Sequence, residues 1–400
     1  MPSGTWATSF LTSSSRSIPG KCVFKILSLR NSYNDHLNNI NFALKRPRQS
    51  ERLTKYEAIA SGESSPRYMV TKARHCDFDP DDDIQSLWEL HDELLLSDDP
   101  EGIPGGGSDL LQLKARIATK IFDECILCER RCKVNRNAGE IGKCGVGESR
   151  ISSEFIHMGE EPEIIPSYTV FFSGCTFRCV YCQNYDISTN PGGGKKLNPE
   201  EMARMIEERD SKLGHRAKRI ADAEISLPFA RPFWAKNVNW VGGDPTSNLP
   251  FILSTLTFCR SGLPQVWNSN MYLTRESMRL LDGVIDIYLT DFKYGNDGCA
   301  RRLSGVENYF DTVSRNHLLA SEQCDVLVRH LVLPNHIECC TFPILEWVAE
   351  NLPDAVINVM DQYRPEHRAS EFDEIMRRPT QAEIASALKR AEELNLSLTG

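Results

Sequence analysis

The sequence predicts an α/β fold, a partial (β/α)6 barrel with an N-terminal helical and cysteine-rich extension, on three observations. Six β-type runs recur at 168–172, 238–241, 265–267, 285–289, 326–328 and 356–359, with helical stretches between most of them. Helix starts are marked: Asn198-Pro199-Glu200-Glu201 supplies a cap, a first-position proline and acids in the first turn, and Thr380-Gln381-Ala382-Glu383 is a capping box. A polar cluster follows each β-type run: a cysteine loop, Gly242-Gly243-Asp244-Pro245-Thr246, Asn268-Ser269-Asn270, Thr290-Asp291-Phe292-Lys293, Arg329-His330 and Asp361-Gln362-Tyr363-Arg364. Repeated β-then-α units build parallel sheets with right-handed crossovers. In such barrels the rim at the C-terminal ends of the strands is where sites are assembled.

Composition bounds the chain. Its 400 residues, 40 % apolar, suffice for one large domain or two smaller ones. No apolar run approaches the roughly 20 residues of a membrane span, so a soluble protein with no membrane partner is expected. The net charge of −9 conceals a polarity: residues 1–75 carry 12 Lys/Arg against 4 Asp/Glu, which leaves the remainder at −17. An acidic body argues against nucleic acid as a non-specific partner, since such binding runs on clustered positive charge.

Along the chain, residues 1–76 are rich in Ser, Arg and Asn, with an apolar-basic patch from Val23 to Arg30. They read either as an organelle transit segment or as a disordered basic tail. Residues 77–150 form the extension. Ile84, Leu87, Trp88, Leu90, Leu94 and Leu95 make a helical stripe, and a Pro/Gly linker covers 98–107. Ser108 is then expected to cap a second helix carrying Leu110, Leu113, Ile117 and Ile121. Residues 151–400 make the barrel. Within them 214–234, between a helix ending near Leu213 and a strand starting near Asn237, exceeds the roughly 2–6 residues of an αβ loop and is expected as an insertion, disordered or a surface flap. His157, a lone histidine, is expected as a hydrogen-bonded packing residue.

Seven of the fourteen cysteines fall in two spaced groups, which suits metal sites in a reducing compartment, cytoplasmic or organellar. Cys125, Cys128, Cys132 and Cys144 stand at C-x2-C-x3-C-x11-C, with Gly139, Gly142 and Gly145 allowing tight turns. Four such thiolates close a tetrahedral zinc shell or anchor a fully ligated iron–sulfur cluster, and both readings are open. Cys175, Cys179 and Cys182 stand at C-x3-C-x2-C after a Ser-Gly turn. Three thiolates on one loop can hold three irons of a [4Fe–4S] cube and leave the fourth without a protein ligand. Zinc would need a fourth ligand, and none is offered nearby.

That spacing, with the aromatic Tyr181 before the third cysteine, resembles the radical S-adenosylmethionine enzymes. The string FFSGCTFRCVYCQNYDIS resembles the branch related to pyruvate formate-lyase activating enzymes, and the likeness runs from about residue 84 to the C-terminus. The resemblance implies the same partial barrel. It also implies that the open iron chelates the amino and carboxylate groups of S-adenosylmethionine, and that an electron from the cluster breaks the sulfonium to give a 5′-deoxyadenosyl radical. Gly242-Gly243-Asp244 resembles the family's glycine-glycine-acid motif, which holds the cofactor's ammonium; Asp is one methylene shorter than the commoner Glu. Tyr181 would help position the cofactor. Lys293 and Arg329 are candidates for its carboxylate or for the charge near the sulfonium, and Asn270 and Asp291 for its hydroxyls. No side chain beyond the cluster is assigned to catalysis. The implied partners are an electron donor such as flavodoxin or ferredoxin and a protein substrate, the glycine of a glycyl-radical enzyme. A small molecule or RNA is the alternative substrate.

Competing chemistries lack their motifs: there is no G-x-S-x-G, no G-x4-G-K-[ST], no H-E-x-x-H and no G-x-G-x-x-G after a strand. A non-catalytic iron–sulfur or zinc protein is the other class, and the polar clusters at the strand ends speak against it.

Overall fold

The computed structural model describes residues 52–96, 106–222 and 233–399. A short antiparallel pair, β1 (His75–Cys76) with β2 (Ser108–Asp109), precedes the main sheet. That sheet has eight strands in chain order: β3 (Ile151–His157), β4 (Ser167–Phe172), β5 (Asn237–Gly242), β6 (Gln265–Ser269), β7 (Ile287–Asp291), β8 (Asp325–Leu331), β9 (Val356–Met360) and β10 (Ser397–Leu398). From β4 to β10 neighbours are parallel, and β3 pairs antiparallel with β4. All six expected strands are present. β7 starts two residues later than expected, just after the buried Asp286, whose carboxylate accepts the backbone N–H groups of Arg67 (2.8 Å) and Gln265 (2.6 Å). β3 and β10 were not expected: β3 carries Ser152, Ser153 and Glu154 in mid-strand, and β10 has two residues.

The two-residue period of the strands sorts their side chains. Tyr288, Val326 and Val328 face the helices and join one large core, whereas Ile287, Leu289, Leu327 and Val356 face inward and join a second. Two residues further along the same inward face come Asp291, Arg329 and Asn358, adjacent across β7, β8 and β9. The lumen is therefore apolar at the strand starts and polar at the strand ends.

The apolar end is closed from outside the barrel. Residues 52–76, expected within a disordered tail or transit segment, are folded as helices Thr54–Ser61 and Arg67–Lys72 and strand β1. Leu53 and Tyr56 are fully buried with the inward-facing residues. The Tyr56 N–H donates to Asp325 (2.9 Å), and its hydroxyl accepts from Asn237 (2.8 Å). The remaining residues of that expected tail or transit segment, 1–51, lie outside the described residues.

Helix Ile84–Leu96 and helix Leu110–Lys120 form as the apolar stripes indicate. The cap of the second is Asp109 and not Ser108: its carboxylate accepts the Gln112 N–H (2.8 Å), and the Gln112 side chain accepts the Asp109 N–H (3.0 Å). Ser108 pairs with Cys76 in β2, one residue before the cap. Helix Leu110–Lys120 buries Leu111, Leu113 and Ile117 in the same core as Leu249, Ile252, Leu253 and Leu256 of helix Leu249–Phe258. The expected capping boxes at Asn198 and Thr380 are both made. The helix after Asn198 ends at Glu207, not near Leu213. The stretch expected to be disordered or a flap opens on helix His215–Asp222, whose Ala217 is buried; 223–232 lie outside the described residues. Among the described residues, no helix is long and apolar enough to cross a membrane.

Candidate active site

The polar end of the lumen is a cavity of about 590 Å³. Its lining includes Cys175, Cys179 and Cys182 together with Tyr181, Gly242, Gly243, Asp244, Asn270, Asp291, Lys293 and Arg329. The cysteine loop leaves β4 at Ser173-Gly174, and Gly174 has a left-handed φ of 85°. The end of β5 lies directly against it. A Cβ on Gly243 would stand 2.0 Å from the Gly174 carbonyl oxygen, and one on Gly242 2.2 Å from the Phe172 nitrogen. These glycines are required by the approach of two backbones.

Each sulfur of the loop has a hydrogen-bonding neighbour. The Phe177 N–H donates to Cys175 Sγ (3.3 Å), Ser304 Oγ donates to Cys179 Sγ (2.9 Å), and Cys182 Sγ stands 3.3 Å from Ser188 Oγ. Tyr181 extends this support as a relay: its hydroxyl donates to Tyr294 (2.8 Å), which reaches Ser304 (2.6 Å). Burial pushes the Cys179 thiol up to about 11, against the pull of the Lys293 ammonium. Burial also raises Cys175, and the Asp244 carboxylate and the neighbouring sulfurs add to it. Buried thiols of this kind become thiolates most readily when a cation or a cluster shares the site.

The carboxylates and cations around the loop are already paired. Asp244 is buried, which raises its pKa, and it accepts from the Thr246 N–H (3.0 Å), Ser269 Oγ (3.1 Å) and the Asn270 N–H (3.2 Å). Asn270 spends its amide on Thr176 Oγ1 (3.0 Å), bracing the cysteine loop. Lys293 Nζ donates to Asp291 (2.7 Å); burial opposes the lysine's charge, but Asp291 together with the Cys179 and Cys182 sulfurs raises its pKa. Arg329 Nε donates to Glu161 (2.7 Å), and its Nη2 reaches both Glu160 and Glu161. Burial opposes ionisation of Glu160, but Arg329 and His157 override it and hold the carboxyl down to about 2.

Several of these residues were not singled out from the sequence. Glu160 and Glu161 precede β4, and Asn358, on β9, donates to Glu161 (2.8 Å). The signal was the adjacent acid pair itself. His157 is hydrogen-bonded to Glu160 (3.1 Å) and also lines the cavity. His330, at the end of β8, is a core residue held between Phe292 O (2.8 Å) and Thr341 Oγ1 (2.9 Å). Asp361 and Arg364 do not line the cavity, whereas Gln362 does.

Cys125, Cys128, Cys132 and Cys144 do not line it either. They lie on an irregular loop, with Cys128 raised by burial and by the other three thiols around it. This loop packs on the cysteine triplet's loop: Arg130 Nε donates to Thr176 O (2.6 Å) and its Nη2 to Gly305 O (2.8 Å).

Similarity to known proteins agrees with this geometry. The family model of the radical SAM superfamily matches residues 169–348, which span β4 to the helix after β8. The uncharacterized protein MJ0674 of Methanocaldococcus jannaschii is 43 % identical over 358 residues, 87 % of this chain and 99 % of that one. The chain belongs to the radical SAM superfamily. It is also 25 % identical to the pyruvate formate-lyase 1-activating enzyme of Escherichia coli over 171 residues, 42 % of this chain and 61 % of that one. Among solved structures, methylornithine synthase matches with a TM-score of 0.39 at 15 % identity over 86 % of this chain and 78 % of its own. Streptococcus suis SuiB bound to S-adenosylmethionine matches at 0.37 and 11 % identity, over 56 % of this chain and 47 % of its own.

Radical SAM proteins use a [4Fe–4S] cluster and S-adenosylmethionine. The residues present fit that pair. Three cysteines and no fourth border the cavity, and the sulfurs carry the hydrogen bonds that tune iron–sulfur sites. The polar space beside them is large enough for a nucleoside-sized ligand.

Proposed function

We propose that this radical SAM protein binds S-adenosylmethionine in the cavity beside Cys175, Cys179 and Cys182, cleaves it reductively, and abstracts a hydrogen atom from a substrate at the barrel mouth. When bound, the reduced cluster and S-adenosylmethionine together supply a 5′-deoxyadenosyl radical. The observation that carries the proposal is that the three cysteines share one cavity with Tyr181, the Gly242–Asp244 turn, Asn270, Asp291, Lys293 and Arg329. Its volume falls in the ordinary range of small-molecule sites.

The chain's own part is charge and position. The lining carboxylates Glu160, Glu161, Asp244 and Asp291 outnumber the lining cations Lys293 and Arg329, with His157 also on Glu160, so the wall balance favours a cationic ligand, which the sulfonium is. Lys293, anchored by Asp291, is placed to take a carboxylate. Gln183, Asn184 and Gln362 border the cavity with carboxamides, donors and acceptors of the kind a peptide backbone uses. With the distant match to an activating enzyme, they favour a protein substrate and an activase-like reaction, which needs an external one-electron donor such as flavodoxin or ferredoxin. The four-cysteine loop would hold zinc or a second iron–sulfur cluster against the first.

The test is electron paramagnetic resonance of the anaerobically reconstituted, dithionite-reduced protein. Adding S-adenosylmethionine is expected to change the cluster signal, as a ligand arriving at the open iron must. An unchanged signal would contradict binding at this site.

A further inference from the structure

A second group of ligands lies outside the cavity lining and outside both cysteine motifs. Cys299 is in the first turn of helix Asp297–Ser304, which follows β7. His336 and the adjacent Cys339 and Cys340 lie in and just before the π-turn Ile337–Thr341, which follows β8. The three sulfurs and one histidine nitrogen all lie within 4.8 Å of one another, and among the described residues no other three or more Cys, His, Asp or Glu ligand atoms are so gathered.

The separations are those of a tetrahedron. Cys299 Sγ to Cys339 Sγ and Cys339 Sγ to Cys340 Sγ are each 3.9 Å. His336 Nδ1 is 3.2 Å from Cys339 Sγ, 3.6 Å from Cys299 Sγ and 3.8 Å from Cys340 Sγ. A zinc ion bonded to sulfur at about 2.3 Å and to nitrogen at about 2.0–2.1 Å sets tetrahedral edges of roughly 3.8 Å and roughly 3.5 Å. A disulfide would require two of the sulfurs at about 2.05 Å and would leave a third thiol and the imidazole over. An iron–sulfur cube holds its thiolates further apart than these. We propose that Cys299, His336, Cys339 and Cys340 bind one zinc ion as a closed Cys3His structural site.

The surroundings suit a clamp between two rim loops. Asn296 accepts the Cys299 N–H (2.9 Å) and donates its own amide to Cys339 O (2.8 Å), spanning the two loops beside the ligands. The backbones touch at Gly295, where a Cβ would stand 2.7 Å from Cys339 O. The far end of the Cys299 helix is Ser304, the donor to Cys179 Sγ. In addition, the Arg178 N–H donates to Ser304 O (3.0 Å) and the Val180 N–H to Leu303 O (2.9 Å). A metal at the first turn thus fixes the helix whose last turn supports the cysteine triplet. The zinc site stands whether or not the triplet's reaction is as proposed.

Two measurements test it. Zinc and iron per chain are determined by inductively coupled plasma mass spectrometry for the anaerobically purified full chain and for Cys339→Ser, the exposed ligand, each also in a Cys125→Ser/Cys128→Ser background. Cys339→Ser is expected to lose one zinc per chain in both backgrounds while keeping the triplet's iron. Equal zinc with and without Cys339 would overturn the site. Independently of any variant, N-ethylmaleimide footprinting of the wild-type chain is expected to leave Cys339 unmodified until a chelator strips the zinc, despite its exposure. Labelling of Cys339 at the same rate before and after chelation, or an intact mass showing a disulfide at Cys339, would also overturn it.

Discussion

At the scale of single residues, the site rests on neighbours that never carry a charge themselves. Ser304 is the clearest: its hydroxyl is the donor to Cys179 Sγ and the last member of the relay from Tyr181. Hydrogen bonds to cluster sulfurs raise the reduction potential. Ser304→Ala is therefore expected to lower it by on the order of 20–60 mV, the equivalent of roughly 0.5–1.5 kcal/mol for one electron, in a redox titration followed by electron paramagnetic resonance. Arg329 acts instead through its charge. Arg329→Met would leave Glu160 and Glu161 buried without their cation and is expected to cost about 3–5 kcal/mol at neutral pH in urea denaturation. Because the Glu160 carboxyl is held down to about 2, its contribution is complete above the ordinary glutamate range and is lost as pH falls toward 2. The gap between wild type and Arg329→Met should narrow over that window. That Cys175, Cys179, Cys182, Lys293 and Asp244 gather at one cavity was legible from spacing and position after a strand. Glu160, Asn358 and Ser304 were not, because each acts through a partner 125 to 197 residues away along the chain.

At the scale of elements, the sequence was most legible where local chemistry decides the outcome. The caps at Asn198 and Thr380 and the six parallel strands follow from side-chain hydrogen bonding and two-residue alternation. It was less legible where tertiary contacts decide. Asp109, the last residue of β2 and paired with His75, caps the helix in place of Ser108 through its reciprocal bonds with Gln112, and β3 forms from a polar run by pairing with β4. Helix Leu110–Lys120 carries a consequence of the same kind. Its Lys114 is fully buried and donates to Arg279 O (2.9 Å) beside His91 (2.9 Å). Burial lowers its pKa from 10.5 to about 7. Between those values the unfolded chain holds a proton that the folded chain has shed, so stability rises with pH. The wild type is expected to gain on the order of 4 kcal/mol between pH 7 and pH 10.5 relative to Lys114→Met, measured from urea midpoints at each pH. Parallel curves for the two proteins would contradict a buried lysine that sheds its proton on folding.

At the scale of the whole molecule, one end of the lumen is closed by Leu53 and Tyr56 and the other opens as the cavity that holds the cysteine triplet. The open end was legible because each strand turns polar where it stops. The closed end was not, since residues 52–76 resemble the basic segment before them in composition. The central claim concerns the open end, and its most direct test is product analysis. The anaerobically reconstituted protein is reduced with dithionite, given S-adenosylmethionine, and assayed by chromatography for 5′-deoxyadenosine, with Cys179→Ala in parallel. The account predicts 5′-deoxyadenosine from the wild type and none from Cys179→Ala; a wild-type protein that carries its cluster and yields no 5′-deoxyadenosine would contradict it.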